Sequence, residues 1–320
     1  MERYFNITGC CHPQKHYMVN LNSRLAEIKK MIDKGQYFCI NKGRQYGKTT
    51  TILALEKYLT KDYIVVSMDF QGLSTSEFAT EGTFVKAFAR ELWLNQEARN
   101  YMSHDIQAEI KDFKKSASFV MAGLFACISE WCMESKKSVV LLIDEVDQAS
   151  NSQVFLDFLS QLRSYYLQKN KRPTFQSVIL AGVHDIRNLR QKIRPDAEHR
   201  YNSPWNIASS FNVDMSFSPD DITGMLSDYK NDHHTGMDIA EISHLIYDYT
   251  SGYPVLVAEF CKSMDKLSDW SSHGVIEANK QLLIKKTQLF ESLIGKLEDN
   301  EPLRKLMQGI LFKGQKSHTI

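Results

Sequence analysis

Residues 139–143, Val-Val-Leu-Leu-Ile, are an apolar run without polar alternation that stops abruptly at Asp144-Glu145-Val146-Asp147. A strand with one wet face would alternate, so this run needs cover on both faces, as strands of a parallel sheet have. Four more short runs have strand character, at 37–41, 64–70, 177–182 and 212–217. Helical stripes lie between them: Leu25, Ile28, Met31 and Ile32 in one, Ile52, Leu53, Leu55 and Leu59 in another. Strand alternating with helix predicts an α/β fold, a parallel five-stranded sheet with helices on both faces.

Residues 74–135 break that rhythm. Phe78, Phe84, Val85, Phe88, Leu92, Trp93 and the apolar stretch 119–128 give them a helical pattern throughout, so they read as a helical insertion. Beyond the fifth run the pattern is helical to the end. Ser218 stands as an N-cap before Asp220-Asp221, a second helix covers 237–249, and Gly252-Tyr253-Pro254 separates it from the next. The expected division is a domain over 1–218 followed by an all-α lid domain over 219–320.

The rest of the sequence excludes more than it adds. A net charge of +1 over 320 residues exerts no global pull on nucleic acid, so such binding would need a local patch. The first residues carry no apolar run of a signal peptide. Stretch 119–128 is too short to span a bilayer, so no membrane partner is expected and the cytoplasm is the expected compartment. Of six cysteines, only Cys10-Cys11 with His12 and His16 form a cluster; without a second ligand pair they read as reduced structural thiols.

The loop after the first strand, Lys42-Gly43-Arg44-Gln45-Tyr46-Gly47-Lys48-Thr49, has the character of a phosphate cradle, a P-loop. Gly47 lets the backbone approach a phosphate, the amides of 43–49 can form an anion nest, and the following helix adds its positive N-terminal end. Lys48 is placed to reach β- and γ-phosphates and Thr49 to ligate Mg²⁺. The standard spacing puts glycine six places before the lysine, where this chain has Lys42, so an unusual first turn is expected. Asp144 and Glu145, at the end of the apolar run, supply the second half of such a site: Asp144 holds Mg²⁺ through water and Glu145 polarises the attacking water. The nucleotide-contacting set is therefore Gly43, Arg44, Gln45, Tyr46, Gly47, Lys48, Thr49 and Thr50, with ATP and Mg²⁺ as ligands. Residues 187–200 gather Arg187, Arg190, Lys192, Arg194 and Arg200 in a basic loop, able to meet DNA phosphates or the ATP of a neighbouring subunit. Trp205 beside Pro204 suggests that the end of this loop is pinned to the body, which makes Arg200 its first candidate for catalysis.

Together with Phe5-Asn6-Ile7-Thr8-Gly9-Cys10, His16-Tyr17-Met18 and Arg200-Tyr201-Asn202-Ser203-Pro204-Trp205, these motifs resemble a bacterial family of AAA-like ATPases, similar in turn to STAND, archaeal-type and origin-recognition ATPases. The resemblance runs from about Phe5 to Cys261. It implies that Ser23-Arg24-Leu25-Ala26-Glu27 is the box whose backbone lies beside adenine, which brings Arg24 to the nucleotide. It likewise implies that Pro254 of the lid packs on the base. A polar γ-phosphate sensor is implied after the 177–182 run, and His184 and Asp185 are both candidates. Residues 303–312 look like the opening helix of a winged-helix-like module that relatives continue, which leaves two expectations: a copy without its C-terminal partner-binding or effector region, or a shortened sequence. Two functions follow as expectations. One is a slow Mg²⁺-dependent ATPase acting as a nucleotide-controlled switch, with self-association or a protein partner. The other is an ATP-dependent nucleic-acid-binding regulator of the origin-recognition or transposition type. A degenerate module that no longer uses nucleotide is opposed by the joint presence of Lys48, Thr49, Asp144 and Glu145.

Overall fold

A computed structural model of the chain describes residues 2–183, 205–285 and 288–313. It divides into two compact units, one of residues 20–215 and one of residues 1–19 with 216–320.

In the first unit, β1 (Phe38–Asn41), β2 (Ile64–Asp69), β3 (Val139–Asp144) and β4 (Ser177–Gly182) form a parallel sheet in the order β1-β4-β3-β2. The apolar run is β3, an inner strand buried along its whole length. Successive side chains serve opposite layers. Phe38, Ile40, Val65, Val140, Leu142, Ile179 and Ala181 pack with α1 (Asn22–Asp33) and α2 (Lys48–Leu59). Tyr37, Cys39, Val66, Met68, Leu141, Ile143, Val178 and Leu180 pack on the other face, against the insertion helices and α7 (Gln153–Leu167). With both layers apolar, neither face of β3 has a place for a polar residue before Asp144 at its end, which is why residues 139–143 do not alternate.

The insertion is helical, as its pattern predicts: α3 (Glu81–Leu94), α4 (Gln96–Arg99), α5 (His104–Phe113) and α6 (Met121–Glu134). A Cβ at Gly82 would lie 1.8 Å from the Ala117 carbonyl oxygen, so only glycine lets the chain before α6 lie on α3.

The expected fifth strand is not formed. Among the described residues the sheet has four strands, and residues 212–217 make no ladder. Ser209 makes a single parallel bridge beside Phe38, its N–H donating to the Tyr37 carbonyl at 2.8 Å. Beyond it Phe211 stacks on Phe38, and Val213 and Met215 bury in the α1–α2 layer. The alternation of 211, 213 and 215 therefore records burial without pairing. Arg24 Nε takes the Asp214 carbonyl at 3.1 Å, an acceptor that a neighbouring strand would otherwise use.

The second unit contains α8 (Pro219–His233), α9 (Ile239–Thr250), α10 (Pro254–Leu267), α11 (Ser272–Ile284), α12 (Gln288–Glu298) and α13 (Glu301–Lys313). Ser218 caps α8 through the Asp221 amide, and Asp221 returns a bond to the Ser218 amide. The N-terminal segment belongs here, which departs from the expected 1–218 division. Phe5 lies tilted against Tyr229 and Tyr17 meets it edge-on, Phe5 also meets Trp270, and Arg3 pairs with Asp228 and Asp232. No strand of a winged module occurs among the described residues of 288–313; α12 and α13 pack on each other.

Candidate functional site

The loop 42–47 leaves the C-terminal end of β1 and runs into α2. Its start is tied to the sheet, the Lys42 N–H donating to the Gly182 carbonyl of β4 at 3.3 Å. The late first glycine has a visible consequence: Gln45, a residue with a side chain, adopts φ 58°, and Gly47 follows at φ 78°. Lys42 extends its ammonium over the Tyr46 ring, 5.7 Å from the centroid. A Cβ on Gly47 would meet nothing within 4 Å, so the glycine answers to its left-handed backbone and leaves open space before α2. Gly47 is the N-cap of α2 and offers it no side-chain cap.

Lys48 is 6% exposed and folds back over the loop, Nζ donating to the carbonyls of Lys42 at 3.0 Å and Gly43 at 3.1 Å. Burial pushes its pKa down, against the pull of Glu145, Asp144 and Asp147. Thr49 Oγ1 donates to Asp144 Oδ2 at 2.6 Å, and the Glu145 amide donates to Asp144 Oδ1 at 2.9 Å. Burial raises Asp144 above the ordinary carboxylate range, with those two hydrogen bonds opposing it. Glu145 turns out of the strand at φ 51° and is also raised, first by burial and then by Asp144.

Two contributors escaped the sequence reading. Asp69 ends β2 in register with Asp144 and adds negative potential to both Asp144 and Glu145. Its signal was available, a carboxylate closing a strand, but neighbouring the acidic end of β3 follows only from strand order. Asp147 accepts a hydrogen bond from the Val183 amide, so the acidic segment also fastens the end of β4. A Cβ on Gly182 would come within 2.9 Å of Asp147 Oδ2 and 3.0 Å of Val146 Cγ2, which keeps that position glycine.

The arrangement sets one buried ammonium among several carboxylates, beside a loop of exposed backbone. Thr49 and Asp144 offer oxygen atoms only, as hard divalent cations prefer, and so small a protein set, with Asp144 acting through water, suits Mg²⁺, which keeps waters and substrate phosphates. No larger cluster of His, Cys, Asp or Glu able to hold a metal occurs among the described residues. At the N-terminus Cys10 Sγ lies 3.3 Å from His12 Nε2, and the His12 amide donates to His16 Nδ1.

The structure thus brings together the loop 43–50, Lys48, Thr49, Asp144 and Glu145. Arg24 lies on α1, bound to Asp214 as described. Pro254 is the first residue of α10 in the other unit. His184, Asp185, Arg187, Arg190, Lys192, Arg194 and Arg200 lie outside the described residues. Trp205 is fully buried, its indole Nε1 2.8 Å from Cys39 Sγ and its ring near Tyr37, the anchoring that its place beside Pro204 suggests.

The family described as an AAA-like domain matches residues 13–319. No curated protein matches the chain by sequence. Among solved structures it is similar to the ORC1 protein of Aeropyrum pernix in complex with DNA, at 9% identity and a TM-score of 0.44, over 83% of this chain and 66% of that one. It is similar to CDC6P from Pyrobaculum aerophilum at 14% identity and a TM-score of 0.47, over 90% and 73%. The Aeropyrum pernix ORC2 protein, solved as ADPNP–ADP complexes, gives 12% identity and a TM-score of 0.45, over 93% and 81%. The chain therefore spans just under two thirds of the first of these proteins. None of its described helices is long and apolar enough to cross a membrane.

Proposed function

Because the chain belongs to the AAA-like domain family, we propose that it binds ATP with Mg²⁺ at the 43–50 loop, hydrolyses it slowly, and acts as a nucleotide-controlled switch in the cytoplasm. The observation that carries this reading is the 2.6 Å hydrogen bond between Thr49 and Asp144, residues 95 positions apart whose types suit a shared cation. Lys48 is held at the loop by two carbonyls and neutralises charge on the β- and γ-phosphates. Thr49 would hold Mg²⁺ directly and Asp144 through water, and the ion would offset phosphate charge and orient the reacting oxygens. Glu145 takes the proton of the attacking water, and its raised pKa makes it the stronger base. Arg24 and Pro254 approach the adenine, His184 approaches the γ-phosphate, and Arg200 completes the site in cis or from a second copy.

The test is binding of a fluorescent ATP analogue with and without Mg²⁺, alongside turnover. Glu145→Gln should bind as wild type and lose hydrolysis; Lys48→Ala should lose binding. Wild-type protein that binds no ATP would end the proposal. Turnover measured against protein concentration then places the arginine: a superlinear rise assigns it to a second copy, a linear one to the same chain.

A further inference from the structure

Trp93, half-buried on α3, gathers three cations on one indole. The Arg99 guanidinium lies 4.7 Å from the ring centroid, Lys111 Nζ 5.0 Å and Lys114 Nζ 4.7 Å. All three charges therefore fall within about 10 Å of one another, the screening length at 0.1 M salt. No carboxylate pairs with any of them among the described residues. Asp112, between the two lysines, is taken by Lys115, and Arg99 spends one N–H on the Trp93 carbonyl at 3.1 Å. Arg90 and Lys29 of the same unit, by contrast, are compensated, Arg90 by Glu77 and Glu91 and Lys29 by Asp33 and Asp62. The cluster at Trp93 is thus a local excess of positive charge on a chain whose net charge is only +1.

The row continues along the chain. Tyr101, two residues past Arg99, is 43% exposed, and Lys137 Nζ sits 5.9 Å from its ring centroid. Both are held in place: the Tyr101 carbonyl accepts from Trp131 Nε1 at 3.2 Å, and Lys137 donates to the carbonyls of Thr60 and Lys61. Cations interleaved with an exposed ring match the backbone and bases of an unpaired strand, where phosphates meet the charges and a base stacks on the aromatic. A duplex would offer the charges but leave Tyr101 without a partner.

We propose that the helical insertion carries a binding site for single-stranded nucleic acid, running from Lys111 and Lys114 past Trp93 and Arg99 to Tyr101 and Lys137. The site is separate from the nucleotide loop, and the proposal stands without the ATPase reading.

Fluorescence anisotropy of a labelled oligothymidylate of about 20 nucleotides, longer than one site of this kind, tests it on the full chain at several salt concentrations. Saturable binding that weakens steeply with salt is expected. Lys111→Glu with Lys114→Glu should weaken it by about tenfold or more, and Lys111→Gln with Lys114→Gln should flatten the slope of log affinity against log salt by about 1.4. Tyr101→Ala should lower affinity while leaving that slope unchanged, and Lys48→Ala should have no effect. Far-ultraviolet circular dichroism checks that the variants fold, and the tryptophan emission of unaltered protein, to which Trp93 is one of four contributors, should change on titration with oligothymidylate. Absence of binding, or a glutamine pair that binds with the wild-type slope, overturns the proposal. Equal affinity for a duplex of the same length, or equal displacement by polyglutamate or anionic vesicles, overturns it in favour of a general polyanion surface.

Discussion

Thr49 Oγ1 and Asp144 Oδ2 stand 2.6 Å apart, the hydroxyl from the first turn of α2 and the carboxylate from the end of β3. The bond satisfies a carboxylate that burial otherwise disfavours, since Asp144 is only 5% exposed and its pKa is raised. A carboxyl whose pKa is higher folded than unfolded binds its proton more tightly in the native state. Its stabilising contribution is complete below the unfolded value and is lost as pH rises through the folded one. At neutral pH the ionised form is therefore a net cost to the nucleotide-free protein. Asp144→Asn should raise the melting temperature without nucleotide and, on the proposed function, abolish the further rise expected of the wild type with ATP and Mg²⁺. Differential scanning calorimetry reads both; an unchanged or lowered melting temperature without nucleotide would contradict this electrostatic account.

Gly252 carries the second prediction. It follows α9 at φ +71°, and a Cβ there would lie 2.0 Å from the Phe217 carbonyl oxygen. The same pair is bonded through the backbone, the Phe217 N–H donating to the Gly252 carbonyl at 2.8 Å. Gly252→Ala combines a left-handed alanine, about 1–2 kcal/mol, with an overpacked contact, about 1–3 kcal/mol. A loss of about 2–5 kcal/mol is expected in urea unfolding. A loss below about 0.5 kcal/mol would mean that the segment shifts freely.

The sequence made the layered fold legible because β3 has no polar position before Asp144 and the helical stripes are regular. Leu25, Ile28 and Ile32 do bury, as do Ile52, Leu55 and Leu59. The pairing of Thr49 with Asp144 was legible too, because each type has a distinct task with phosphate and cation. Burial and pairing, however, leave the same alternating trace, so Val213 and Met215 within 212–217 read as a strand although, among the described residues of this segment, only Ser209 bridges to β1. The packing of Phe5 and Tyr17 on Tyr229 joins segments more than two hundred positions apart, and no local pattern encodes it. Asp69 became visible only through the strand order that sets β2 beside β3.

Asp147 and Gly182 form a coupled pair. The Asp147 carboxylate holds the Val183 amide and stands where a Gly182 side chain would go. Gly182→Ala must displace that carboxylate and should cost about 1–3 kcal/mol. Asp147→Ala removes the obstacle along with the hydrogen bond, so the double variant should be less destabilised than the sum of the single ones. Additive losses would show that Gly182 is required for another reason, such as the Val146 methyl at 3.0 Å.

Lys169 gives the pH-dependent case. Its ammonium lies 4.8 Å from the ring centroids of both Tyr37 and Tyr166 and donates to the carbonyls of Gly35 and Gln176. Burial without a carboxylate partner lowers its pKa from the ordinary 10.5 to about 8. Between those two values the unfolded chain holds a proton that the folded one has released, so stability rises with pH across that window. Below about 8 both states are protonated and this contribution is flat at its least favourable level. Lys169→Met keeps most of the apolar stem beside the tyrosines and removes the titration. The stability difference between wild type and Lys169→Met, followed by urea unfolding from pH 7.5 to 10, should move in favour of the wild type above pH 8. Comparing the two proteins cancels the titration of other lysines and tyrosines. A constant difference would show that Lys169 titrates at its ordinary value, with the tyrosine rings compensating its burial.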